Sequence, residues 1–315
     1  MIATATTNVR LAPLSIPALL VRTGGHISRL VWLFAFGMVV LGAGSVALWI
    51  MSGDQQPLIH FFRWQNSFFL AGLAGVEWAM ALTCWRLFER GEPLGRAWLF
   101  ISLGSGFRLA GLVSANFLSG FASEAPSPQG ATARADAVEV VSLGVLNPLA
   151  FALLVVGLFL VLRAYRDVGL LRRPGPAGMI LLVAVSAFLV SQWVEMARWW
   201  MSLTGPVGVL QAFNGVAHPL LGILLLEAVL LYCTVTHLGD GLIASCWGAY
   251  TVAIFLTAFG DMGIWAMSRE IVPAQYAYVN SLVWILAGLA FALGPAYQAE
   301  ATVRARNPQL GIKRW

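Results

Sequence analysis

Charge is scarce in this chain. Asp, Glu, Lys and Arg together make up 10% of its 315 residues, where soluble domains carry about 25%. Cysteine is nearly missing too, and Cys84, Cys233 and Cys246 are spaced for neither a disulfide framework nor a metal site. They read as buried packing residues. Histidine is limited to His26, His60, His218 and His237. His60 and His218 fall at the same end of two helices, so a bis-His haem is conceivable. No histidine pair lies deeper in the bundle, as a haem-carrying cytochrome would need, and both read as interfacial residues. No lysine occurs in any apolar stretch, which excludes a retinal Schiff base. HExxH, a GK[ST] phosphate loop, GxSxG and Asp-rich metal motifs are all absent.

What the chain has is apolar length. Its residues are 59% hydrophobic and its mean hydropathy is +0.79. Stretches near 30–51, 61–85, 97–119, 145–163, 177–202, 214–236, 241–266 and 275–299 can each span a bilayer as a helix. The expected fold is an all-α polytopic membrane protein of eight transmembrane helices. Basic residues set its orientation. Arg10, Arg22, Arg29, Arg86, Arg90, Arg163, Arg172 and Arg304 fall on one side, and only Arg63, Arg134 and Arg269 on the other. The positive-inside rule then places both termini in the cytoplasm. The net charge of +5 follows from topology and does not indicate a nucleic-acid partner. The apolar run LAPLSIPALLV has two prolines and no small-residue cleavage site, so it reads as a lead-in to the first helix.

The stretches read as two copies of one unit. Leu70, Gly72 and Glu77 match Leu220, Gly222 and Glu227 at an offset of 150. Ser105-Gly106-Phe107-Arg108 answers Thr257-Ala258-Phe259-Gly260 at 152. The expected organisation is a segment 1–29, a four-helix bundle 30–163, a linker 164–176, a second bundle 177–299 and a tail 300–315, with parallel repeats about the membrane normal. The loop 120–144 lies away from the cytoplasm. Its Ala, Ser, Pro and Gly content suits either a solvated linker or a docking surface for an extracytoplasmic subunit. Small residues such as Gly72, Gly104, Gly288 and Gly294 permit close helix contact in lipid.

Polar residues inside the spans are few, and a charge there costs about 2.5–3.5 kcal/mol or more. Asn66 and Glu77 stand eleven residues apart, almost three turns, so they share a face, with Arg63 about 40° away. Gln192, Glu195 and Arg198 recur every third residue, and the last two can pair. Tyr250, Thr257, Asp261 and Trp265 follow one stripe of the seventh helix, and Tyr276, Asn280 and Trp284 one stripe of the eighth. Arg108 adds a positive charge to the third. Two readings remain open. Arg108 can pair with Asp261 or Glu77 simply to hold helices together. Alternatively, these groups form a polar pocket open to the outer side, with Glu77 deeper as a proton acceptor. Glu227 has no such company, since His218 points to the opposite face, and it reads as a structural residue.

Arg63-Trp64-Gln65-Asn66 followed by Leu70-Ala71-Gly72-Leu73-Ala74-Gly75 is similar to the Trp/Asn start and Gly-rich helix of a known family. These are the membrane-anchor subunits of polysulfide- and DMSO-reductase-type complexes (the NrfD and DmsC families). The eight-helix, two-bundle organisation resembles them too. The resemblance implies a quinone held near one surface, below an iron–sulfur subunit. The chain is therefore expected to be a non-haem integral subunit of a redox complex in the bacterial cytoplasmic (inner) membrane. Arg63, Asn66, Arg108 and Asp261 would line an outer pocket for quinone or quinol, and Glu77 would exchange its protons. Electrons would pass through a partner subunit, so whether the chain itself is an enzyme stays open. A transporter or channel for a small solute or proton, with Glu77 and Glu227 as paired sites, is the alternative. A purely structural membrane subunit is the third reading.

Overall fold

The computed structural model describes residues 26–52, 56–89, 91–114, 142–171, 173–202, 215–235, 241–268, 270–273 and 277–306. Every described element is helical. In chain order they are α1 (Ile27–Ser52), α2 (Gln56–Leu87), α3 (Pro93–Val113), α4 (Asn147–Asp167), α5 (Pro176–Ser202), α6 (Ala217–Val235), α7 (Leu242–Ser268) and α8 (Ala277–Arg306). A π-helical turn, Ser142–Leu146, leads into α4. Each apolar stretch expected from sequence has its helix.

Six of these, namely α1, α2, α4, α6, α7 and α8, are long and apolar enough to cross a membrane, so the chain is a multi-pass membrane protein. The described apolar stretch of α5, Pro176–Phe188, is shorter. Residues Arg96 and Arg108 lower the hydropathy of α3, which is held between α2 and α4.

Helix ends follow local chemistry. Pro93 opens α3 at a position where its missing N–H costs nothing. At the end of α4, Leu170 N–H donates to Tyr165 O and Gly169 N–H to Arg166 O. Gly169 has φ +72°, the left-handed conformation that this type of helix stop requires. The last helix runs on to Arg306, past the expected end at 299, because Glu300 is part of the packed interior. Its carboxylate accepts bonds from the Ser28 amide (3.0 Å) and hydroxyl (2.6 Å) at the start of α1, and it pairs with Arg304. Glu300 thus satisfies an amide that the first turn of α1 leaves unpaired.

The two halves of the chain share one core. Helix α8 packs on α7 and also on α1 and α2, while α6 packs on α4; α5 rests on α6. Small residues set the spacing. A Cβ on Gly104 would lie 2.9 Å from Ala150 O, and one on Gly157 would lie 3.2 Å from Ala97 O, so α3 and α4 approach to backbone contact. Hydrophobicity gives little drive for such association in lipid; close van der Waals contact replaces it.

Gly104→Val is therefore expected to destabilise the protein by about 1–3 kcal/mol, the usual cost of overpacking, and to lower its melting temperature in detergent. Gly44→Val, where a Cβ meets nothing within 4 Å, should leave that temperature almost unchanged.

Candidate functional site

Glu77 lies in the apolar second half of α2 with none of its surface exposed. Two residues of α3, one turn apart, reach it. Ser105 Oγ donates to Glu77 Oε1 at 2.7 Å, and Arg108 Nη2 stands 3.2 Å from Oε2. Spacing of three on α3 puts both partners on one face. The Arg108 guanidinium also lies 4.0 Å from the centre of the Phe291 ring on α8, a cation–π contact. One buried charge pair therefore ties together α2, α3 and α8.

Aromatic rings surround this pair. The Tyr250 ring meets Phe291 edge-on at 6.0 Å and stacks on Trp247 at 5.7 Å. Trp98 stacks on Trp247 at 6.2 Å. Trp247 Nε1 donates to the Tyr165 hydroxyl at 3.2 Å, joining α7 to α4. Gly294 makes room for Tyr250, whose ring a Cβ there would approach to 2.7 Å.

Within this shell several polar atoms lack a hydrogen bond among the described residues. They are the Tyr250 hydroxyl, Arg108 Nε and Glu77 Oε2. The last has its charge contact with Arg108, but not in hydrogen-bonding geometry. An unmade bond in such a place costs about 1–3 kcal/mol. The group thus offers a carboxylate, a guanidinium and a phenol against flat apolar walls, a set able to bind a carbonyl or hydroxyl and exchange its proton.

Asp261 belongs elsewhere. It lies 3.8 Å from His218 Nδ1 on α6 and is bonded by the Trp284 side chain on α8. Nearby, Asn280 Nδ2 donates to Gly260 O at 2.9 Å. Of the alternative partners for Arg108, the structure selects Glu77. The side chains of Arg63, Asn66, His60 and Glu195 lie outside those described, as does most of the loop 120–144. Cys84 and Cys246 are fully buried, and Cys84 donates to Pro295 O at 3.1 Å, in keeping with packing roles.

Sequence reasoning missed the aromatic shell and Glu300. Trp98, Tyr165, Trp247 and Phe291 lie far apart in the chain and read individually as ordinary apolar residues. Their convergence is a tertiary fact. Glu300 falls within the expected tail 300–315, yet its spacing of four from Arg304 is a sign of continued helix.

No protein-family model, curated protein or solved structure matches this chain.

Removing either partner of the buried pair should be costly, and removing both should not. Glu77→Met and Arg108→Met are each expected to cost about 3–5 kcal/mol, with most of it recovered in the double substitution. Thermal unfolding of the four proteins in detergent measures this, and additive losses would show that the charges do not interact.

Proposed function

We propose that this chain is the quinone- or quinol-interacting subunit of a redox complex in the bacterial cytoplasmic membrane, and that Glu77 handles the protons. The observation that carries the reading is the buried Glu77–Arg108 pair, with Tyr250 OH and Arg108 Nε beside it unpartnered among the described residues. These residues fit a quinone headgroup. Its two oxygens need hydrogen-bond donors, its flat ring suits aromatic walls, and its reduction and oxidation consume and release protons. Tyr250 and Arg108 would donate to a headgroup oxygen. A quinone supplies two-electron chemistry coupled to proton exchange. Glu77, with Arg108 beside its carboxylate, accepts a proton, while Ser105 holds the carboxylate in place. Arg63 and Asn66, on the α2 stretch nearer the outer surface, would line the approach. Asp261 would stand with His218 nearer that surface.

On this reading all eight helices span, as two pseudo-repeated four-helix units with both termini cytoplasmic. The loop 120–144 then offers an extracytoplasmic subunit its docking surface. A reporter active only outside the cytoplasm should work when fused within that loop and fail when fused after residue 315. The reverse pattern would overturn the orientation.

The functional test uses the protein purified with whatever subunits accompany it. Quinone should co-extract with it, and Glu77→Gln should lower quinol turnover per folded protein by about 10²-fold or more, the usual scale of lost acid–base catalysis. Folded protein is counted by size-exclusion chromatography. Unchanged turnover would remove Glu77 from the proton chemistry. Proton or solute flux in liposomes holding this chain alone would favour a transporter instead.

A further inference from the structure

The two carboxyls at matching positions of the repeat are held differently. Both of Glu77's oxygens have a neighbour on α3. Among the described residues Glu227 on α6 has neither hydrogen bond nor ion pair, and its Oε2 is buried without a partner. The residue is 8% exposed. At the offset of 152, the counterparts of Ser105 and Arg108 are Thr257 and Gly260. Thr257 turns its hydroxyl back to Ala253 O on its own helix, at 2.9 Å. Gly260 carries no side chain and has no space for one, since a Cβ there would come within 2.6 Å of the Trp284 indole. The positions that serve Glu77 therefore have nothing to give Glu227.

The other charges described on the neighbouring helices do not fill the gap. Arg163 and Arg166 of α4 pair with Asp167. Asp261 of α7 is turned toward His218, 3.8 Å from its Nδ1. Arg198 of α5 is exposed near the far end of its helix. An ionised carboxylate without a counter-charge or donor is the costliest group to keep in a bilayer, and the available relief is to bind a proton.

We propose that Glu227 is a second proton-binding site, a neutral carboxylic acid that holds one exchangeable proton, in contrast to Glu77, which is paired with Arg108. The proposal does not depend on the quinone reading. It also revises the purely structural role that the sequence suggested for this residue.

The protonated form has a selective chemistry. Dicyclohexylcarbodiimide takes the acid proton onto a nitrogen while the carboxylate oxygen bonds to its central carbon. Migration of the acyl group to nitrogen then leaves the whole reagent attached, with no leaving group. The full-length protein, purified in detergent, is treated with this reagent and mapped by peptide mass spectrometry. The adduct at Glu227 should exceed that at Glu77 by about tenfold or more. In parallel, infrared spectra should show a carboxylic-acid C=O band that shifts in D2O and is lost in Glu227→Gln but kept in Glu77→Gln. Because a neutral amide then replaces a neutral acid, Glu227→Gln should melt with the wild type. Labelling at Glu77 equal to or above that at Glu227, or a carboxylic-acid band unchanged by Glu227→Gln, would overturn the proposal.

Discussion

The contact between Glu77 and Arg108 is the constraint around which the bundle is arranged. In a medium that solvates neither charge, the two groups must stay together, and α2 and α3 must stay in register to let them. The guanidinium's second contact, on the face of Phe291, brings α8 into the same arrangement. From there the aromatic contacts pass through Tyr250 and Trp247 to Tyr165 on α4. Five helices are thus linked through one charge pair and its aromatic surroundings. The small residues at Gly104, Gly157 and Gly294 allow the backbones and rings to come that close.

A second buried carboxylate works at the other end of α8. Glu300 reaches the first turn of α1 and accepts from both the amide and hydroxyl of Ser28. A negative group at a helix start is favoured by the helix dipole as well as by the unpaired amide. Helix α8 is therefore held to the first half of the chain at two levels, mid-helix through Phe291 and at its end through Glu300. The halves are coupled, and a change at the Glu77 site has a packed route to both.

Much of the fold was legible in the residues. The apolar stretches are helices, and the polar residues within them pointed to Glu77 and Arg108. The choice among partners for Arg108 was not legible, because Glu77 and Asp261 were equally good carboxylates on paper. Helical periodicity tells which residues share a face of one helix, and it is silent about which faces meet. Asp261 went instead to His218, a contact that needs α6 and α7 to pack side by side. The repeat also misled by its regularity. Glu77 and Glu227 look equivalent in sequence, yet the decisive difference is whether α3 or α7 presents a donor and a cation, and among the described residues only α3 does.

Sequence alone determined the class of this protein. Apolar length forces helices in a bilayer, since every backbone amide must be paired within the span, and the scarcity of charge makes each intramembrane carboxyl conspicuous. Only the tertiary structure decided what those carboxyls are. Ionisation in lipid depends on the nearest counter-charge within a few ångströms, and that distance is set by helix packing. The packing assigns Arg108 to Glu77, Ser28 and Arg304 to Glu300, and no partner among the described residues to Glu227.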